Sequence, residues 1–360
     1  MSEENISDHL SVAMTTETDD AQTTVRGTRP ASSSSELLFY FQCAVVFIGV
    51  LGAAANALII YAMIASKQHK KQLLIFNQNI FDLCSCLLLV IIYTLKLCNI
   101  YLTGTLGYWL CMMLLSENLL WGSLAGSVIN LMSVTIERYL KVVHHRWSKK
   151  LLRKWVIILA AAFAWISGIT TDMAAAFSTS AVVDGVCYGF VFWESRVAGI
   201  AYGIWTIVSF YVLEIFIFVF CYWRILVVIR RQARVMAAHG GPGSSTHQTQ
   251  SQHIQSNVIK TMIIVSAFYT ISWMPDHIYY LMVNIGFNLT LLHTGHYITN
   301  IVAFVYICAN PFIYATKFDP VRLVLVSLIP CKKTQPSDEN IVMGTARTTE
   351  PRRPVPETRN

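Results

Sequence analysis

The chain has 360 residues, of which 54% are hydrophobic and 13% charged, against roughly 25% charged in an ordinary soluble domain. That balance excludes a protein whose main solvent is water. The formal net charge of +7 sits largely in short loops and the tail, so it is no footprint of nucleic-acid binding.

Residues 1–36 are rich in Ser, Thr, Asp and Glu and are expected to form a disordered extracellular tail. No charged segment with an apolar run behind it precedes Leu37, so the first span is expected to serve as signal anchor. A bilayer core about 30 Å thick needs about 20 mostly apolar residues per helical crossing. Seven such stretches follow, at Leu37–Ala65, Leu73–Leu97, Cys111–Val143, Trp155–Ala176, Val197–Val228, Val258–Asn284 and His296–Thr316. The expected fold is an all-α membrane protein, a seven-transmembrane helix bundle, with residues 37–331 as one membrane domain and 332–360 as a disordered cytoplasmic tail.

Lys67, Lys70 and Lys71 follow the first span, Arg146, Lys149, Lys150, Arg153 and Lys154 the third, and Arg230, Arg231 and Arg234 the fifth. The opposite loops carry almost no cations, so these basic loops are cytoplasmic and the amino terminus is outside. The glycosylation sequons at Asn5 and Asn288 both fall on that outer side. The loop from Met236 to Gln255, with Gly240-Gly241-Pro242-Gly243, is expected to be a flexible linker. After the seventh span, residues 318–325 alternate apolar positions at helical spacing, which suits a short amphipathic eighth helix on the membrane surface. Cys331 beside Lys332 and Lys333 is either a palmitoylation site or a free thiol.

Strongly polar residues at membrane depth cost several kcal/mol unless paired, so each is a functional candidate. Span one has Asn56, span two Asp82, and span three ends in Glu137-Arg138-Tyr139; span four has Trp165. Span six has Ser272-Trp273-Met274-Pro275, and span seven ends in Asn310-Pro311-Phe312-Ile313-Tyr314. In this order the marks resemble the rhodopsin-like G-protein-coupled receptors over about residues 37–331. A transporter, by contrast, would show broken helices in two corresponding halves, and no such symmetry is present.

The resemblance implies a plasma-membrane receptor, not an enzyme, that binds an extracellular ligand and activates a heterotrimeric G protein. It implies that Arg138, held by Glu137, is freed to meet the G protein, with Tyr139, Tyr222 and Tyr314 at the same end. Pro275 and Pro311 each remove a backbone hydrogen bond and kink their helices, which makes helix six a lever. Many relatives latch the Arg with an acid where this chain has Gln255, so a constitutively active or decoy protein is the alternative reading. A polar core of Asn56, Asp82, Ser127, Trp273 and Asn310 is implied. Sodium near Asp82 is left open, because Tyr306 and Ile307 replace the helix-seven Asn and Ser of the sodium site.

The resemblance also implies a disulfide between Cys111 and Cys187. Cys111 stands 27 residues before Arg138 where relatives usually show 25, so helix three either holds a bulge or begins differently, and Cys98 is the only other outward cysteine. The opsin retinal lysine would fall at Phe304, and the amine-binding Asp at Leu120 or Asn118, so neither a pigment nor an ordinary monoamine receptor is expected. Pocket candidates are Glu117, Asn118, Trp121, Asp276, His277, Tyr280 and Tyr297. Asp276 either faces a cationic ligand group or pairs with His277 or a neighbouring helix. Where relatives place a helix-five Pro against an apolar residue and a Phe, this chain has Glu214, Val128 and Tyr269, and a Glu214–Tyr269 hydrogen bond is one reading.

Overall fold

The structure, a computed structural model, describes residues 31–189, 193–239, 246–287, 289, 293–317 and 319–328. Asn5, Asn288, Cys331 and the side chain of Gln255 lie outside the described residues. The chain forms helices α1 (Ala31–Ala65), α2 (Leu73–Leu97), α3 (Gly104–Val143), α4 (Lys154–Thr179), α5 (Arg196–Gln232, with helical turns on to His239), α6 (Thr246–Ile285), α7 (Thr294–Lys317) and α8 (Asp319–Ser327). Between α4 and α5 lies a two-stranded hairpin, β1 (Ala181–Val183) and β2 (Val186–Tyr188).

Six of the described helices are long and apolar enough to cross a membrane. The seventh, α6, packs into the bundle against α5 and α7. The remaining neighbours follow chain order: α1 packs on α2 and α7, and α3 touches α2, α4, α5 and α6. Helix α8 lies across α1 and α7, with Val321 buried and Leu323 exposed.

The distribution of side chains is inverted relative to a water-soluble protein. Phe47, Leu51, Phe163, Ile166, Phe216 and Trp223 point outward, while Asn56, Asn79, Asp82, Asn130 and Asn310 are fully or almost fully buried. Lipid solvates the first set, and only the bundle interior can supply hydrogen bonds to the second. Helices α3 and α4 approach closely at small residues: a Cβ on Gly168 would lie 2.5 Å from the carbonyl oxygen of Gly122 and 2.6 Å from the nitrogen of Gly126. Gly122 and Gly126 form a GxxxG stripe that admits the neighbouring backbone.

Helix α3 is not continuous. A π turn over Cys111–Leu115 is followed by a break at which Glu117 takes φ 65°, and regular helix resumes at Asn118. The extra residues of the π turn and break account for the 27-residue spacing between Cys111 and Arg138, so the bulge is the correct one of the two expectations. Helix α5 holds a second π turn at Val208–Val212, just ahead of Glu214, where the sequence lacks a kinking proline.

Candidate functional site

A cavity of about 380 Å³ opens among the helices at the end that carries the hairpin. The hairpin is set by Asp184-Gly185, both at positive φ (50° and 76°), which is the backbone that a two-residue turn between twisted strands requires. Cys187, paired with Val182 across the strands, forms a disulfide with Cys111, their Cα atoms 5.4 Å apart, and so ties the hairpin to the first turns of α3.

Of the pocket residues expected from sequence, Glu117, Trp121, Asp276, His277, Tyr280 and Tyr297 line this cavity. Asn118 does not; it is 1% exposed with neither amide atom hydrogen-bonded, because the break at Glu117 turns the chain between the two positions. Glu117 forms an ion pair with Lys96 of α2. Its left-handed backbone, strained for a residue with a Cβ, costs about 1–3 kcal/mol. Asp276 does not pair with His277, whose Nδ1 faces the Trp273 carbonyl at 2.9 Å and whose ring stacks on Tyr211. Instead Asp276 accepts a hydrogen bond from Thr299 at 3.4 Å. Sequence reasoning missed Lys96, Asp172, Tyr202, His296 and Asn300, which also line the cavity, since nothing local marks a residue whose partner lies on another helix.

Val128, Tyr269 and Trp273 form the floor. Trp273 packs edge-on to Trp121 and stacks with Tyr269, which in turn meets Tyr306. The Tyr269 hydroxyl donates to the Phe210 carbonyl at 3.2 Å, within the π turn of α5. Glu214 is fully buried and neighbours Tyr269, whose side chain–backbone bond stands beside the expected Glu214–Tyr269 contact. The irregular turn supplies an acceptor that a regular helix keeps for itself.

Below the floor runs a directional chain of donors. Trp165 Nε1, which can only donate, gives to Asn77 Oδ1 at 3.1 Å. Asn77 Nδ2 gives to Asn130 Oδ1 at 2.9 Å, Asn130 Nδ2 to Gln78 Oε1 at 2.8 Å, and Gln78 Nε2 to Ser127 and, at 3.4 Å, to Asp82 Oδ1. Ser127 also donates to Asp82 Oδ1 at 3.3 Å, and Asn310 to Oδ2 at 2.9 Å. Asp82 therefore gathers donors from α2, α3 and α7. Asn56 stands apart, donating to the carbonyls of Gly52 and Ile307 at 3.0 and 3.4 Å. A hard cation needs several oxygen ligands, whereas amide N–H groups occupy the Asp82 oxygens and Ile307 offers no side-chain oxygen.

At the opposite end, Arg138 is 6% exposed. Its guanidinium lies 3.4 Å from Glu137 and donates to Gln72 at the start of α2. Glu137 also accepts from Lys141 at 2.5 Å. The Tyr222 hydroxyl bridges Thr135 of α3 and Ser266 of α6, at 3.0 and 3.1 Å, while the Tyr314 hydroxyl is buried without a partner among the described residues. Tyr139 meets His144 Nε2 at 3.1 Å. Arg138 is thus held without an acid on α6. Gln72→Ala is expected to raise basal nucleotide exchange about threefold, the shift that one interhelical hydrogen bond of about 0.6 kcal/mol makes in a two-state equilibrium; unchanged basal exchange would remove Gln72 from the latch.

An integral membrane bundle of seven helices, with a cavity at one end and a caged arginine at the other, has the architecture of a transmembrane receptor. Residues 55–314 match the family described as "7 transmembrane receptor (rhodopsin family)". The chain belongs to that family, whose members are non-enzymatic receptors. It is similar to galanin receptor type 1 of Rattus norvegicus, 25% identical over 297 residues that cover 79% of this chain and 80% of the relative. Neuropeptide Y receptor type 2 of Mus musculus is 25% identical over 346 residues, 86% of this chain and 84% of the relative. Melanopsin-A of Danio rerio is 23% identical over 326 residues, 85% of this chain but 53% of the relative.

Proposed function

We propose that this protein is a plasma-membrane receptor, amino terminus outside, whose outer cavity binds an extracellular ligand and whose cytoplasmic end then activates a heterotrimeric G protein. The observation that carries the reading is that both ends share α3 and α6. Trp273 on α6 floors the cavity, and Ser266 on the same helix holds Tyr222 beside the cytoplasmic end of α3. A ligand that moves Trp273 therefore acts on the helix that closes over Arg138, and Pro275, inside α6, supplies the flexible point. Relatives named for galanin and neuropeptide Y support a peptide ligand over a pigment. Phe304, packed against Tyr93 and Trp121, has no amine to hold retinal. The grip of Glu137 and Gln72 on Arg138 favours a resting state that a ligand must release, over a constitutively active or decoy protein.

The reading is tested by spin labels at Lys154→Cys on α4 and Lys260→Cys on α6, both exposed positions, in a chain with Cys98 replaced. Binding of nucleotide-free heterotrimer is expected to lengthen the distance between them by about 5 Å or more. An unchanged distance with the heterotrimer bound would contradict the helix-six swing.

A further inference from the structure

We propose that the outer cavity recognises its ligand through a cationic amine or guanidinium group held between Asp276 on α6 and Asp172 on α4, with a neutral acceptor of the ligand directed at Trp273. The proposal rests on the receptor reading above and specifies the chemistry of its ligand. Three carboxylates line the cavity, Glu117, Asp172 and Asp276, against one Lys or Arg side chain, Lys96. Lys96 is committed to Glu117. Asp172, 7% exposed, meets the neutral hydroxyl of Tyr202 at 2.5 Å. Asp276, 6% exposed, meets the Thr299 hydroxyl at 3.4 Å, and its approach to His296 Nδ1 is 3.9 Å, beyond hydrogen-bond distance. The other ring nitrogen of His296 lies 3.1 Å from the Asn300 amide nitrogen.

A second observation is independent of the acids. Asn300, 4% exposed, lines the same cavity, and its Oδ1 has no hydrogen-bond partner among the described residues. The cavity thus presents unspent acceptors on α4, α6 and α7, while its unpartnered indole donor is Trp273 Nε1. Burying carboxylates away from any cation is costly, and leaving one uncompensated is worse than never having paired it. A ligand ammonium or guanidinium removes that cost, and the faces of Trp121 and Trp273 add cation–π attraction. An anionic ligand would face two acids and a neutralised Lys. The Trp273 N–H is satisfied by an acceptor such as an amide carbonyl close to the cation.

The test titrates full-length receptor in lipid nanodiscs, read by tryptophan fluorescence and thermal unfolding. The probes are phenethylamine, agmatine and the dipeptide amide Phe-Arg-NH2, each set against a neutral counterpart: 2-phenylethanol, 4-ureidobutanol and Phe-citrulline-NH2. At least one cation is expected to saturate below about 1 mM and its neutral counterpart to fail. Asp276→Asn should weaken that cation about tenfold or more, and Asp276→Glu should restore most of the loss. Asp172→Asn is the parallel variant should Asp276→Asn fold poorly. Tighter binding of Phe-Arg-NH2 than of agmatine identifies a basic peptide as the source, and the reverse order a small amine. Saturation by no cation, equal binding of neutral counterparts, or wild-type affinity in both Asn variants would overturn the proposal. A cation that binds without changing nucleotide exchange leaves this assignment standing and removes the receptor reading. Exchange driven by neutral or anionic ligands alone does the opposite.

Discussion

Arg138→Ala is expected to abolish formation of a stable complex with nucleotide-free heterotrimeric G protein while leaving folding and surface delivery largely intact. The side chain lies at the end of α3 opposite the disulfide and the cavity, and removing it does not orphan Glu137. That carboxylate keeps Lys141 at 2.5 Å, so the variant avoids the 3–5 kcal/mol penalty of a buried charge stripped of its partner. What disappears is the only cation that the closed end holds between Glu137 and Gln72 ready for release. Co-purification with the heterotrimer, normalised to correctly folded receptor, measures the effect. Wild-type yields of complex from the variant would remove Arg138 from the coupling machinery.

Cys187→Ser is expected to produce the largest loss of stability. The disulfide closes a separation of 76 residues and ties the hairpin Ala181–Tyr188 to an α3 segment broken from its own helix at Glu117, beside a small apolar cluster of Leu102, Met112, Phe177 and Val182. Cross-linking a chain of that length is worth about 2–4 kcal/mol. The loss should be reproduced, without addition, by Cys111→Ser and by the double variant, because all three remove the same bond. Thermal unfolding in detergent checks this. Additive losses would mean that the cysteines stabilise the protein separately.

Which parts of this architecture were legible beforehand follows from how locally each is encoded. Crossing helices were legible because lipid demands about 20 apolar residues in succession, and α6 was marked further by Trp273 and Pro275. The irregular start of α3 announced itself as two surplus residues between Cys111 and Arg138. Its consequence was not legible: Glu117 and Asn118 are adjacent, and only the left-handed backbone at Glu117 places one in the cavity and the other outside it. The hairpin had a local signal in Asp184-Gly185 between two short β-branched runs, and it was overlooked. Gln72, Asp172 and Asn130 had none, since a polar residue near a helix end or within a span acquires meaning only from the groups on neighbouring helices. Glu214 is legible as a carboxyl group at membrane depth, whereas the backbone carbonyl that the π turn of α5 offers to Tyr269 is not.

The central claim is that this chain is a ligand-responsive exchange catalyst for heterotrimeric G proteins, and the direct measurement is GDP release from purified heterotrimer by the full-length receptor in lipid nanodiscs. The account predicts low release by the resting receptor, acceleration by any probe that saturates the outer cavity, and loss of that acceleration in Arg138→Ala. Release that stays at the rate of heterotrimer alone, across the families of Gα subunit and with the cavity saturated, would contradict it.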